Sequence, residues 1–288
     1  MDRELMVLLL KIGTSIAVIG LMFCSGLNMV PGHLKFFRGR LSLLMQSLFA
    51  VLVLVPVAAL AVAYLIRPVH PAAVGLAIMA SSPAAPLMLT RASRAAGRLD
   101  YVGSLHLILA ALSIISTPVT LAVMSSLIGF DASIDPIQIA RLTFTMILLP
   151  VGLGLFVRKK YPGVAERIGR PLNRVFLVLL IFILLVLFAK TYRFLLDLDF
   201  HSYASVVIFI VLALAAGHFS APDVSEEKAA LALEAAGRNP GFALVIAQLN
   251  FPHARPVAFL VPYMLVFMVL SVLYISWYKR RRGRNDPN

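Results

Sequence analysis

Charge is scarce in this 288-residue chain, and acid scarcer still. Only 14% of residues are charged, where a soluble domain carries about 25%, and 13 Asp and Glu face 26 Lys and Arg. Cysteine occurs once, as Cys24, which excludes an intrachain disulfide and any cysteine-cluster metal site; Cys24 reads as a small core residue. No paired Asp-rich motif, His-Glu-x-x-His, Gly-x-Ser-x-Gly or Walker loop occurs, so an intramembrane enzyme is not expected. The opening MDRELMVLLLKIG has no small-residue cleavage site after a short apolar core and no Arg/Ser-rich amphipathic character, so the first apolar segment is expected to be retained.

What the chain has instead is apolar length. Hydrophobic residues make up 60% of it, and stretches of about twenty recur along it, each long enough to cross a hydrocarbon core about 30 Å thick as a helix. Little is left over for a sizeable soluble domain. Apolar runs read against breakers and charges predict about nine spans joined by short loops, near 4–30, 41–66, 71–96, 100–126, 136–157, 172–195, 202–220, 226–249 and 254–278.

The net charge of +13 is explained by topology rather than by nucleic acid. Lys and Arg cluster between spans: Lys35/Arg38/Arg40, Arg91/Arg94/Arg98, Arg158/Lys159/Lys160 with Arg167/Arg170/Arg174, and the tail Lys279 to Arg284. Short cytoplasmic loops retain such residues. The clusters alternate with loops holding only Arg3, Arg67, Lys190, Arg193 and Arg255, which places the N-terminus outside and the basic tail, 279–288, inside.

Two spans are interrupted. The third reads PAAVGLAIMASSPAAPLMLTRASRAAG, with Pro83 and Pro86 near its middle, and the eighth reads EEKAALALEAAGRNPGFALVIAQLN, with Gly237, Pro240 and Gly241. Proline removes a backbone donor and pushes the preceding residue out of the helical region, so Ser82, Ala85 and Asn239 are expected breaks. Unwound backbone survives at membrane depth only when buried in protein or facing a watery cavity. Each interruption is the second-to-last span of its half, and an odd displacement inverts topology. Matching Gly/Pro-interrupted segments in two inverted halves point to the binding site of a secondary transporter. Two packing kinks are the plainer reading.

Glu234 and Arg238 lie four residues apart, so on a continuous turn they would share a face and could form a structural ion pair. Intramembrane charges usually face a cavity or a partner. His106, inside another apolar helix, can take a proton near neutral pH. Lys11 and Arg141, by contrast, read as residues that snorkel to the interface.

At GLMFCSGLNM (20–29), VLVLVPVAAL (51–60), ASSPAAPLMLT (80–90), SIISTPVTLAVM (113–124) and ALALEAAGRNPGFALVIAQ (230–248), the chain resembles the bile acid:sodium symporter family and its organic-anion relatives. The resemblance implies an all-α polytopic membrane protein of two inverted repeats forming a panel and a core domain. Two discontinuous helices, here spans three and eight, would cross in the core. The first repeat would be 1–126, four spans with its first helix missing, and the second 136–278, five spans.

The motifs depart from the sodium-coupled pattern in one direction. Where the family has Gly-Gly-Thr-Ala-Ser-Asn after the first proline, this chain has Ala84, Ala85, Pro86, Leu87, Met88 and Leu89. A threonine ligand matches His106, a serine ligand Val102 and a glutamine ligand Val51. The family's Glu-x-Gly-x-Gln-Asn becomes Glu234-Ala235-Ala236-Gly237-Arg238-Asn239, with Arg238 at the glutamine. Sodium, a hard cation, needs several oxygens, so the sodium sites are expected to be lost, with Arg238 standing in as a tethered cation and neutralising Glu234.

The expected function is therefore secondary active transport of a small amphipathic organic anion by alternating access, sodium-independent or proton-coupled. Crossing half-helices would turn their N-terminal donors toward a carboxylate, and Arg238 would add a planar fork. That gives substrate-binding candidates Ser82, Pro83, Ala84, Ala85, Pro86, Arg238, Asn239, Pro240 and Gly241, and coupling candidates Glu234, Arg238 and His106. The alternatives are a sodium-coupled symporter relying on Glu234 and backbone carbonyls, or a sensor or channel of the same fold. The expected partners are a small organic anion, the lipid bilayer and a coupling proton. No metal, cofactor, nucleic acid or obligate protein partner is expected, and the expected location is the cytoplasmic (inner) membrane of a bacterial cell.

Overall fold

The computed structural model describes residues 3–29, 35–88, 91–92, 99–130, 135–196, 198–222, 225–251 and 257–285. Every regular element among them is helical: α1 (Arg3–Asn28), α2 (Leu41–Ile66), α3 (His70–Ser81), α4 (Leu99–Ile128), α5 (Pro136–Lys160), α6 (Pro162–Leu196), α7 (Phe200–Ser220), α8 (Ser225–Ala236), α9 (Pro240–Asn250) and α10 (Val257–Asn285). Arg94, Arg98 and Arg255, used above for topology, lie outside the described residues.

Among the described residues, seven helices are long and apolar enough to cross a membrane: α1, α2, α4, α5, α6, α7 and α10. They coincide with the uninterrupted runs of the sequence. The interrupted spans are the short helices: α3 has 12 residues, α8 has 12 and α9 has 11. At about 1.5 Å per residue, each reaches only a little over half of a hydrocarbon core about 30 Å thick. Exposed apolar side chains such as Ile115, Val119 and Val123 on α4, or Phe182 and Leu185 on α6, cover the outer faces. In water these faces would drive aggregation; in lipid they are at home. The chain is a multi-pass membrane protein.

The helices pack in two sets. In one, α1 lies against both α5 and α6; in the other, α7 packs on α8, α2 and α10, while α3 lies against α4 and α10. The sets meet where α9 packs on α1, α5 on α4 and α6 on α10. The α1–α5 contact is a backbone approach licensed by glycine. A Cβ on Gly154 would lie 2.1 Å from the Phe23 carbonyl oxygen, and one on Gly26 2.2 Å from that of Val151. Small residues let membrane helices come this close.

Two helices differ at their ends from the sequence expectation. α6 begins at Pro162, not near 172, and continues through Pro171. The early turns pack, with Ala165 buried and Gly169 tight against Asn28, and this packing outweighs one missing helix bond. α10 runs to Asn285, so the basic residues 279–284 continue the last helix. Asp135 and Asp199 cap α5 and α7 by accepting from the backbone N–H of Ile137 and Ser202, as N-cap carboxylates do.

The glycine contact yields a controlled test. Gly154→Ala should lower the thermal midpoint of the purified protein, because overpacking costs about 1–3 kcal/mol and the clash is with backbone. Gly152→Ala, with nothing within 4 Å of the added carbon, should not lower it.

Candidate functional site

The two interruptions meet. α3 ends at Ser81; the next residue, Ser82, turns extended (φ −69°, ψ 144°) ahead of Pro83, and helix resumes over 86–88, starting at Pro86. α8 ends at Ala236, and α9 restarts with Asn239 as its N-cap and Pro240 in the first turn. Asn239 Oδ1 accepts from the Phe242 N–H at 3.1 Å. This is the cap-then-proline start that the sequence Asn-Pro-Gly encodes.

Between the breaks runs a short antiparallel bridge pairing Ala84 with Arg238. The Ala85 N–H donates to the Gly237 carbonyl at 2.7 Å, and the Asn239 N–H to the Pro83 carbonyl at 2.9 Å. Backbone groups that leave a helix inside a membrane need other partners, and here each break supplies the other's. The Tyr263 hydroxyl donates to the Ala236 carbonyl at the end of α8. Since the N–H groups of Ala85, Asn239 and Phe242 are engaged in this way, the half-helix starts present fewer free donors than a bare pair of termini would.

Arg238 sits at the centre of this crossing, 4% exposed. Its Nη1 donates to the Ser82 carbonyl at 3.0 Å and its Nη2 to the Val51 carbonyl at 2.8 Å. Why Val51 is available follows from a π-helical turn at Ala50–Leu54 within α2. The Val55 N–H, which in an α-helix would serve Val51, bonds to Ala50 instead. The residue after it is Pro56, which has no N–H to offer. A proline thus frees one carbonyl at membrane depth, and a guanidinium takes it. An arginine at the bilayer centre costs roughly 2.5–3.5 kcal/mol on insertion scales, while a hydrogen bond to a charged group contributes about 1.5–3 kcal/mol. Two such bonds suffice to hold it.

Glu234 does not pair with Arg238 in a shared helical face. The helix stops at Ala236, so the four-residue spacing no longer spans a continuous turn. Glu234 Oε2 instead lies 3.2 Å from Nδ1 of His106 on α4, with both side chains buried. Glu234 Oε1, Arg238 Nε and Asn239 Nδ2 are buried without a hydrogen-bond partner among the described residues.

A small cleft opens beside the crossing, lined by Val51 and Pro56 of α2, by 80–84 at the first break, by Leu109, Ser113, Ser116 and Thr120 of α4, and by Arg238. Of the expected substrate residues, Ser82, Pro83, Ala84 and Arg238 line it; Ala85, Pro86, Asn239, Pro240 and Gly241 do not. The sequence reading passed over Ser113, Ser116 and Thr120, although hydroxyls spaced three and four apart in an apolar helix were the available signal. The hydroxyls of Ser81, Ser82 and Ser113 donate to the carbonyls of Ala77, Ile78 and Ala110, so their oxygens remain as acceptors.

Gly237 is needed at the crossing for space. An added Cβ would lie 2.2 Å from Met88 Cγ and 2.6 Å from the Leu233 carbonyl oxygen. Gly237→Ala should therefore destabilise the protein in a thermal melt, and adding Met88→Ala should recover part of the loss, a coupling expected only of side chains in contact.

The model of the Sodium Bile acid symporter family matches residues 15–198, from α1 past the first break to the end of α6. No curated protein matches the chain. Members of that family are transporters rather than enzymes. With well over half of its length matched, the chain belongs to the Sodium Bile acid symporter family.

Proposed function

We propose that this protein is a sodium-independent secondary transporter of a small amphipathic organic anion, in which Arg238 does the electrostatic work of a bound sodium ion. The observation that carries the reading is the bonding of its guanidinium to the carbonyls of Val51 and Ser82 at the crossing. Carbonyl oxygens at a helix break are what a hard cation would use; here N–H donors occupy them. The remaining oxygens that a sodium ion would need are replaced by Met88, Leu89, Val102 and His106, and Glu234 is engaged by His106.

The architecture that goes with this function is nine spans in two inverted repeats, with α3 and α8–α9 as the discontinuous pair. The set α1, α5 and α6 would form the panel and the remaining helices the core. The basic loops would face the cytoplasm. Arg238, held by two bonds and with Nε to spare, offers a positive centre to a carboxylate or sulfonate at the cleft, and the apolar Val51, Leu52, Pro56 and Leu109 that line it suit a greasy body. Alternating access would then widen what is, in this conformation, a cleft too small for a bulky anion.

Uptake of a labelled bile acid into proteoliposomes tests both halves. Replacing sodium with potassium should leave uptake unchanged, and strict dependence on sodium would overturn the reading. Arg238→Gln should reduce uptake at least about tenfold, the equivalent of losing one charge-assisted contact of ~1.4 kcal/mol or more.

A further inference from the structure

The buried charges at the crossing constrain what can be carried together. Three groups matter: Arg238, Glu234 and His106, all within the protein interior, with His106 Nδ1 3.2 Å from Glu234 Oε2. Arginine stays protonated in proteins. With Glu234 ionised and His106 neutral, the three sum to zero. One added proton, shared across the His106–Glu234 contact, leaves the site at plus one. Burying a net charge costs several kcal/mol, so the protonated site is poorly stable alone and becomes neutral again when a monoanion arrives.

Other ionisable groups do not upset this sum. On α4 itself, Tyr101 lies within electrostatic reach of Glu234 and shares a hydrogen bond with Ser47 of α2. From α10, Tyr263 lies beside Arg238 and bonds to Ala236; both phenols are neutral at physiological pH. Glu227 on α8 is matched by Arg40, while Lys228 of α8 and His218 of α7 interact with each other, His218 also bonding Tyr274 of α10. His70 of α3, Tyr64 of α2 and Arg141 of α5 are solvent- or lipid-exposed. A route to the pair follows α4: His106, Leu109, Ser113, Ser116 and Thr120 are spaced three and four apart, which places them on one face, and the last four line the cleft.

We propose that the His106–Glu234 pair takes up one proton for each monoanion bound, so that transport is electroneutral proton–anion symport. The inference rests on the anion-carrier reading above and adds its coupling ion and stoichiometry. The proton bonds to the pair from one side of the membrane and leaves it on the other; no bond of the substrate changes. Proton and anion raise each other's affinity by the same factor, as linkage requires.

The test uses the full-length protein in proteoliposomes and a taurine-conjugated bile acid, whose sulfonate stays ionised so that the probe carries no proton itself. With one proton per monoanion, each pH unit imposed across the membrane should concentrate the probe about tenfold, and clamping the membrane potential at different values should change nothing. His106→Gln and, separately, Glu234→Gln should still let the probe equilibrate but abolish its pH-driven accumulation. If the probe is carried but its accumulation ignores the pH gradient or follows the potential, the proton inference is overturned and the anion-carrier reading stands. Accumulation unchanged in either folded variant would overturn the assignment to this pair. If the wild-type protein carries no bile acid at all, the proposed function fails and takes this inference with it.

Discussion

The crossing depends on one buried guanidinium finding two carbonyls. Arg238 bonds to Ser82 at the end of α3 and to Val51 inside α2, so it ties together both interruptions and the neighbouring long helix. Much of the local sequence serves that arrangement. Pro56 and the π-helical turn release the Val51 carbonyl, Pro83 turns α3 aside at Ser82, and Gly237 leaves room for Met88. Asn239 caps the restarted helix while its N–H closes the bridge to Pro83. Without the arginine, two carbonyls would lie in the membrane interior with no donor, an expensive state for any backbone group.

A fixed cation also changes the electrostatics of a carrier. A diffusible ion contributes its charge only while bound and thereby couples its gradient to the cycle. A side chain contributes the same charge in every state and so drives nothing. On the proposed reading, the chain keeps the positive centre at the helix break and, by keeping it permanently, gives up the gradient that a bound sodium would supply. On that reading the driving force falls to a group whose charge can change, and among the described residues at the crossing the His106–Glu234 contact joins two buried groups able to exchange a proton.

The broad architecture was legible because its signals are local. Apolar length marked the seven long helices, proline and glycine marked both breaks, and Asn-Pro-Gly announced the cap and restart of α9. What the sequence concealed depends on where distant segments come to rest. The four-residue spacing of Glu234 and Arg238 suggested a pair, but the break that makes Arg238 special also rotates it away from the helical face of Glu234. The actual partner, His106, is 128 positions away. The free carbonyl of Val51 is a property of hydrogen-bond register around Pro56, invisible as a residue type. The hydroxyls at 113, 116 and 120 gained meaning only when α4 was placed beside Arg238.

The central claim is that Arg238 occupies the place of a cation, and direct binding of radioactive sodium to the purified protein tests it without knowledge of any substrate. The account predicts no saturable binding at millimolar sodium in the wild-type protein. Saturable, stoichiometric sodium binding with Arg238 intact would contradict it.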